Sequence, residues 1–119
     1  MIVDDEVNIR TALKYRLKKE GYSVLLAVDG LEALDKVASE RPDLIILDLM
    51  LPRMDGYQVL ERLKGDPRTA DIPVIVLTAR GGRGDRARSL ELGAASFVAK
   101  PFSPRQLVAE VKRALGDAD

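Results

Sequence analysis

A chain of 119 residues suits one compact domain and leaves no room for two. Its 19 basic and 19 acidic residues cancel, so no net field draws it to nucleic acid or a membrane surface. The absence of cysteine excludes disulfides and thiolate metal sites, and the absence of histidine leaves any chemistry to carboxylates, hydroxyls and amines.

The hydrophobic fraction is 46% but the aromatic fraction only 4%, which predicts a core of Leu, Val, Ile and Ala. No apolar run approaches the roughly 20 residues of a membrane span, and no signal peptide opens the chain, so a soluble, cytoplasmic domain is expected. Met1-Ile2-Val3 reads as a strand fragment. Ile9, Leu13 and Leu17, with Ala12, form a helical stripe that stops at Gly21. Tyr22 to Val28 reads as a strand closed by Asp29-Gly30. Leu31 to Glu40 is a short helix with Leu34, Val37 and Ala38 on one face, ended by Arg41-Pro42. The unbroken run Leu44-Ile45-Ile46-Leu47 fits a central strand covered on both faces.

Pro52, Asp55 and Gly56 then make a loop, with Asp55-Gly56 read as a turn, and Tyr57 to Lys64 a helix. Val74-Ile75-Val76-Leu77 is a second buried strand. Gly81-Gly82-Arg83-Gly84 is a mobile loop leading into a helix from about Asp85 to Leu92, closed by Gly93. Ser96 to Ala99 is a fifth strand. Ser103 caps the last helix, with Pro104 at its first position and Gln106 completing a capping box. That helix carries Leu107, Val108, Val111 and Leu115 inward. Five strands alternating with five helices predict a doubly wound α/β fold, in which ligands sit beyond the carboxyl ends of the strands.

The residues that follow the strands therefore matter most. The first strand ends in Asp4-Asp5, the third in Asp48, the fourth in Thr78 and the fifth in Lys100. Two like charges roughly 4 Å apart repel by about 4 kcal/mol at an effective dielectric near 20. Three carboxylates together require either raised pKa values or a divalent cation between them. Hard oxygen donors without histidine or cysteine favour magnesium. Carboxylates, a dication and a lysine make a phosphoryl-transfer constellation, in which Asp48 is the candidate nucleophile and the hydroxyl of Thr78 can bond a phosphoryl oxygen.

These motifs resemble the receiver domains of two-component response regulators (the CheY-like family) from end to end. The resemblance is carried by Ile2-Val3-Asp4-Asp5-Glu6, by Leu47-Asp48-Leu49-Met50-Leu51-Pro52 with Asp55-Gly56, by Leu77-Thr78-Ala79-Arg80, by Gly93-Ala94, and by Phe97-Val98-Ala99-Lys100-Pro101-Phe102. It implies one receiver over residues 1–119, built on a five-stranded parallel sheet of order 2-1-3-4-5 with five helices. It implies that Asp4, Asp5, Asp48 and the backbone carbonyl of Met50 hold Mg2+, and that Asp48 is phosphorylated by a histidine kinase or histidine phosphotransfer protein. Lys100 would pair with the phosphoryl group, and the Lys100-Pro101 peptide would be cis. Thr78 and Phe97 would form a switch pair, the ring turning inward as Thr78 moves toward the phosphate. The face built by the fourth helix, fifth strand and fifth helix would then change and act on a downstream protein or fused output domain. Met50 and Arg80 stand where side chains can admit or block the hydrolytic water.

Three departures accompany this likeness. The first strand lacks the two or three apolar residues that usually precede the Ile-Val-Asp-Asp run, and Phe97 replaces the more frequent tyrosine. The stretch from Leu77 to Leu115 is similar to receivers of winged-helix transcription regulators, which dimerise through acidic and basic residues on that face. Here Ala95-Ser96 stands in place of an acidic pair and Glu110 in place of a base, so a phosphorylation-dependent homodimer would need other contacts. Two other readings compete. A phosphohydrolase of haloacid dehalogenase type would need a second aspartate two residues past the nucleophile, where Met50 stands. A flavodoxin-like cofactor carrier would need a hydroxyl- and glycine-rich loop after the first strand, where Asp4-Asp5-Glu6 would repel a phosphate. A degenerate receiver used only for docking is disfavoured, because each expected acidic, hydroxyl and amine position is filled.

Overall fold

The structure is a computed structural model that describes residues 1–79 and 82–117; Arg80 and Gly81, which the sequence placed in a motif and a loop, lie outside the described residues. The elements alternate as the periodicity requires: β1 (Ile2–Val3), α1 (Val7–Lys19), β2 (Leu26–Ala27), α2 (Gly30–Glu40), β3 (Ile45–Leu47), α3 (Gly56–Gly65), β4 (Val74–Thr78), α4 (Arg83–Glu91), β5 (Ser96–Ala99) and α5 (Pro104–Leu115). The strands pair in parallel in the order β2-β1-β3-β4-β5.

The continuous apolar runs are explained by two cores. Successive strand residues point to opposite faces of a sheet. Val3, Ile45, Leu47, Val74, Val76 and Phe97 join one cluster with Tyr57, Val59, Leu60 and Leu63 of α3. Ile2, Ile46, Ile75, Leu77 and Val98 join the other, with Leu13 and Leu17 of α1 and Leu107, Val108 and Val111 of α5. Both faces are covered, so β3 and β4 as far as Leu77 are apolar in both registers.

Several boundaries differ from the sequence expectation. β2 contracts from Tyr22–Val28 to Leu26–Ala27, because β1 offers only Ile2 and Val3 as ladder partners. The ammonium of Met1 donates to the Leu44 carbonyl at 2.7 Å beside that short strand. Ala12 and Ala38 are exposed, and Ala33 takes the inward position on α2. Gly82 is the N-cap of α4, so Arg83 and Gly84 form its first turn and not a loop. At α5 the Ser103 hydroxyl accepts the Gln106 N–H at 3.3 Å, one half of the expected box. The complete box is at α3, where Asp55 accepts from Tyr57 N–H at 3.0 Å and the Gln58 side chain accepts from Asp55 N–H at 3.1 Å.

Candidate functional site

Asp4 and Asp48 follow neighbouring strands, and ladder bonds fix both stems: Asp4 N–H donates to Ala27 O at 3.1 Å and Asp48 N–H to Val3 O at 3.0 Å. Both residues are accordingly buried, at 2% and 3% exposure, while the next residue after Asp4, Asp5, is exposed. Buried carboxylates need donors. Asp4 Oδ1 accepts the Glu6 N–H at 2.9 Å, and Asp48 Oδ1 accepts the Met50 N–H at 3.0 Å. Their remaining oxygens share one ammonium: Lys100 Nζ lies 2.9 Å from Asp4 Oδ2 and 2.9 Å from Asp48 Oδ2, with Glu6 Oε1 at 3.7 Å.

Lys100 reaches this point because β5 lies beside β4. Thr78 pairs with Ala99 in the ladder, and Lys100 N–H donates to Thr78 O at 2.8 Å. The buried Thr78 thus sits at the end of the neighbouring strand. The Lys100–Pro101 peptide is cis. Phe97 is 8% exposed and belongs to the core cluster that holds Tyr57 and Leu60. Met50 is 54% exposed, which keeps its side chain at the rim.

One oxygen from each of Asp4, Asp5 and Asp48 lies within 4.8 Å of the others, a spacing and donor type suited to a hard divalent cation. Three carboxylates against one ammonium leave net negative charge for such an ion to neutralise. Burial pushes the Asp4 carboxyl above its ordinary value; the Glu6 N–H and Lys100 oppose this, and the charge of Asp48 adds to it. Burial alone would lower Lys100, but its bonds to Asp4 and Asp48, and their charges, hold it above its ordinary value.

Three residues have site roles that the sequence reading did not assign. Arg10 on α1 donates from Nη1 to the Asp4 carbonyl at 2.7 Å, tying the turn that carries both acids. Glu6 adds a carboxylate within reach of Lys100. Gly56 lets α3 press on the site: a Cβ there would lie 2.4 Å from Asp48 O and 2.4 Å from Leu49 Cα. Its N–H donates to Leu49 O at 2.9 Å. An Asp-Gly pair reads equally well as a turn, so only the packing distinguishes the two uses.

A parallel sheet in this order, with an acid cluster and a lysine at the carboxyl ends of its strands, defines a CheY-like receiver. Residues 1–112 match the response regulator receiver domain family, and the chain belongs to that family. It is 46% identical over 115 residues to the alkaline phosphatase synthesis transcriptional regulatory protein PhoP of Bacillus subtilis (strain 168), covering 97% of this chain and 47% of that protein. It is 44% identical over 115 residues to the response regulator MprA of Mycobacterium tuberculosis (strain ATCC 25177 / H37Ra), covering 97% of this chain and 49% of that protein. The chain thus spans about half the length of these curated relatives. Among solved structures, it superposes with a TM-score of 0.89 on the signal receiver domain of a signal transduction histidine kinase from Syntrophus aciditrophicus, at 42% identity, covering 97% of this chain and 87% of that one. The chain is a receiver domain of two-component response regulators, and neither the phosphohydrolase nor the flavodoxin-like reading is favoured. No helix among the described residues is long and apolar enough to cross a membrane.

Proposed function

We propose that residues 1–119 form one receiver in which Asp48 accepts a phosphoryl group from a histidine kinase or histidine phosphotransfer protein. One observation carries this reading: a buried carboxylate at the end of a central strand stands 2.9 Å from Lys100 Nζ and within the oxygen cluster of Asp4 and Asp5. Asp4, Asp5, Asp48 and the Met50 carbonyl would hold Mg2+, and the ion would supply positive charge to the transferring phosphoryl oxygens. A carboxylate oxygen of Asp48 attacks phosphorus in line as the bond to the donor imidazole nitrogen breaks, giving an acyl phosphate. Lys100 then exchanges its bond to Asp48 for one to a phosphoryl oxygen, and the Thr78 hydroxyl bonds another. The domain promotes its own phosphorylation and dephosphorylation and is not a turnover enzyme.

Thr78 and Phe97 would form the switch pair through which the face formed by α4, β5 and α5 is remodelled. That face would control a downstream protein or a fused output domain in the cytoplasm, consistent with relatives about twice as long that are named as transcriptional regulators. The test is incubation with magnesium and acetyl phosphate. We expect one acid-stable, base-labile phosphoryl group by intact-mass measurement, lost in Asp48→Asn. Labelling that survives in that variant would place the nucleophile elsewhere.

A further inference from the structure

Helix α4 is held unlike its neighbours. α3 buries Tyr57, Val59, Leu60 and Leu63, and α5 buries Leu107, Val108 and Val111. α4 buries only Ser89, whose hydroxyl finds no hydrogen-bond partner among the described residues. A helix without a buried apolar stripe takes little stability from the hydrophobic effect. Its attachment to the body must come from other contacts.

Arg86 supplies one of them to β5, at 3.4 Å from the Phe97 carbonyl, and two successive turns of α3 supply the others. Tyr57, 2% exposed, donates its hydroxyl to the Asp85 carboxylate in the first turn of α4, with the Asp85 carbonyl at 3.4 Å. Arg88, one turn further along α4, lies over the Tyr57 ring, 3.9 Å from its centroid. The same guanidinium approaches Glu61, one turn along α3, at 3.8 Å. The hydroxyl bond is charge-assisted and partly buried, the setting in which a single bond counts most. The cation over the ring adds a second, independent tie.

We propose that Tyr57 is a positioning residue for phosphoryl acceptance: through Asp85 and Arg88 it clamps α4 in its resting seat. This rests on the reading of Asp48 as phosphoacceptor. The clamp lies close in sequence to the chemistry, because four residues separate the end of β4 at Thr78 from the start of α4 at Arg83. Movement of Thr78 toward a phosphoryl group therefore pulls on the helix that Tyr57 holds. A contact made only in the resting seat opposes the phosphorylated one, and removing it shifts the population toward the conformation that accepts the group.

Tyr57→Phe deletes the hydroxyl and keeps the ring under Arg88. Two measurements test it. In the first, hydrogen–deuterium exchange of the unphosphorylated protein, the amides of residues 83–91 should exchange faster in Tyr57→Phe while those of α5 do not. In the second, labelling by acetyl phosphate with magnesium, the rate should rise about tenfold or more, the scale expected for loss of one bond to a charged group. Asp85→Asn should move both readouts in the same direction. Tyr22→Phe serves as the control, since it also deletes a tyrosine–aspartate bond, here an exposed one of 2.7 Å to Asp117 away from α4. It should leave the labelling rate unchanged. An unchanged or slower rate in Tyr57→Phe, or an equal gain in Tyr22→Phe, would overturn the proposal. A wild-type protein that takes no label would instead overturn the phosphoacceptor reading, and the exchange of α4 would then decide the clamp alone.

Discussion

Lys100 is the residue on which the charges of the site converge. Its ammonium is the shared partner of two carboxylates, each almost wholly buried. Breaking a buried ion pair from one side leaves uncompensated charge, so Lys100→Met should cost about 3 kcal/mol in the metal-free protein. Urea denaturation in the presence of a chelator, and again with magnesium, checks this: the deficit should shrink when a dication replaces the lost positive charge. The pH dependence follows from the same pair. Lys100 is held above its ordinary 10.5, so its stabilisation is fully present below that pH and is lost as pH rises through the higher folded value. The gap between wild type and Lys100→Met should therefore close in strong alkali. Asp4 is raised by burial, and a protonated carboxyl is no ligand. Magnesium affinity, measured by calorimetry across acid pH, should thus begin to fall at a higher pH than an ordinary aspartate with pKa 3.8 would give.

Among the elements, α3 and α4 make contrasting attachments. α3 carries a complete cap, a buried stripe and a glycine that lets its first turn touch the backbone after β3. Gly56→Ala would drive a methyl group to within 2.4 Å of backbone atoms that belong to Asp48 and Leu49. Neither can yield as a flexible side chain would, so we expect a loss of about 3 kcal/mol in a urea titration, together with slower labelling of Asp48. α4 has no comparable buried stripe and leans on Tyr57 of α3 through its own Asp85 and Arg88. Arg86 adds a contact from its guanidinium to the Phe97 carbonyl at 3.4 Å. Local opening is easiest where apolar contacts are few, which makes α4 the natural moving part.

At the scale of the whole molecule, the proposed metal site would couple ion binding to the fold. The acids follow two different strands, β1 and β3, and assemble only when the sheet is formed, so a dication held by them would bind the native chain in preference to the unfolded one. At a magnesium concentration 100 times the dissociation constant, stability should rise by about 2.7 kcal/mol, and thermal melting should shift accordingly. Asp48→Asn should reduce that gain at equal magnesium, since it replaces a charged ligand with a neutral one.

Much of this was legible in the residues themselves. Unbroken apolar runs at Leu44–Leu47 and Val74–Leu77 announced strands covered on both faces, and the amphipathic stripes between them announced the helices. Acids and a lysine directly after strands pointed to one edge of a parallel sheet, because parallel strands end on the same side. Capping and close approach were harder: Asp55-Gly56 has the composition of a turn, and nothing local says that its glycine meets Asp48.

The amino-acid order by itself determined the element sequence, the sheet edge that carries the chemistry, and the kinds of group found there, since periodicity and residue type are local properties. Only the tertiary structure decided that Lys100 bridges Asp4 and Asp48, that Phe97 is buried, that α4 begins at Arg83, and that a tyrosine from α3 holds it. Those facts depend on distances between residues far apart in the chain, which are set by packing and by no single segment.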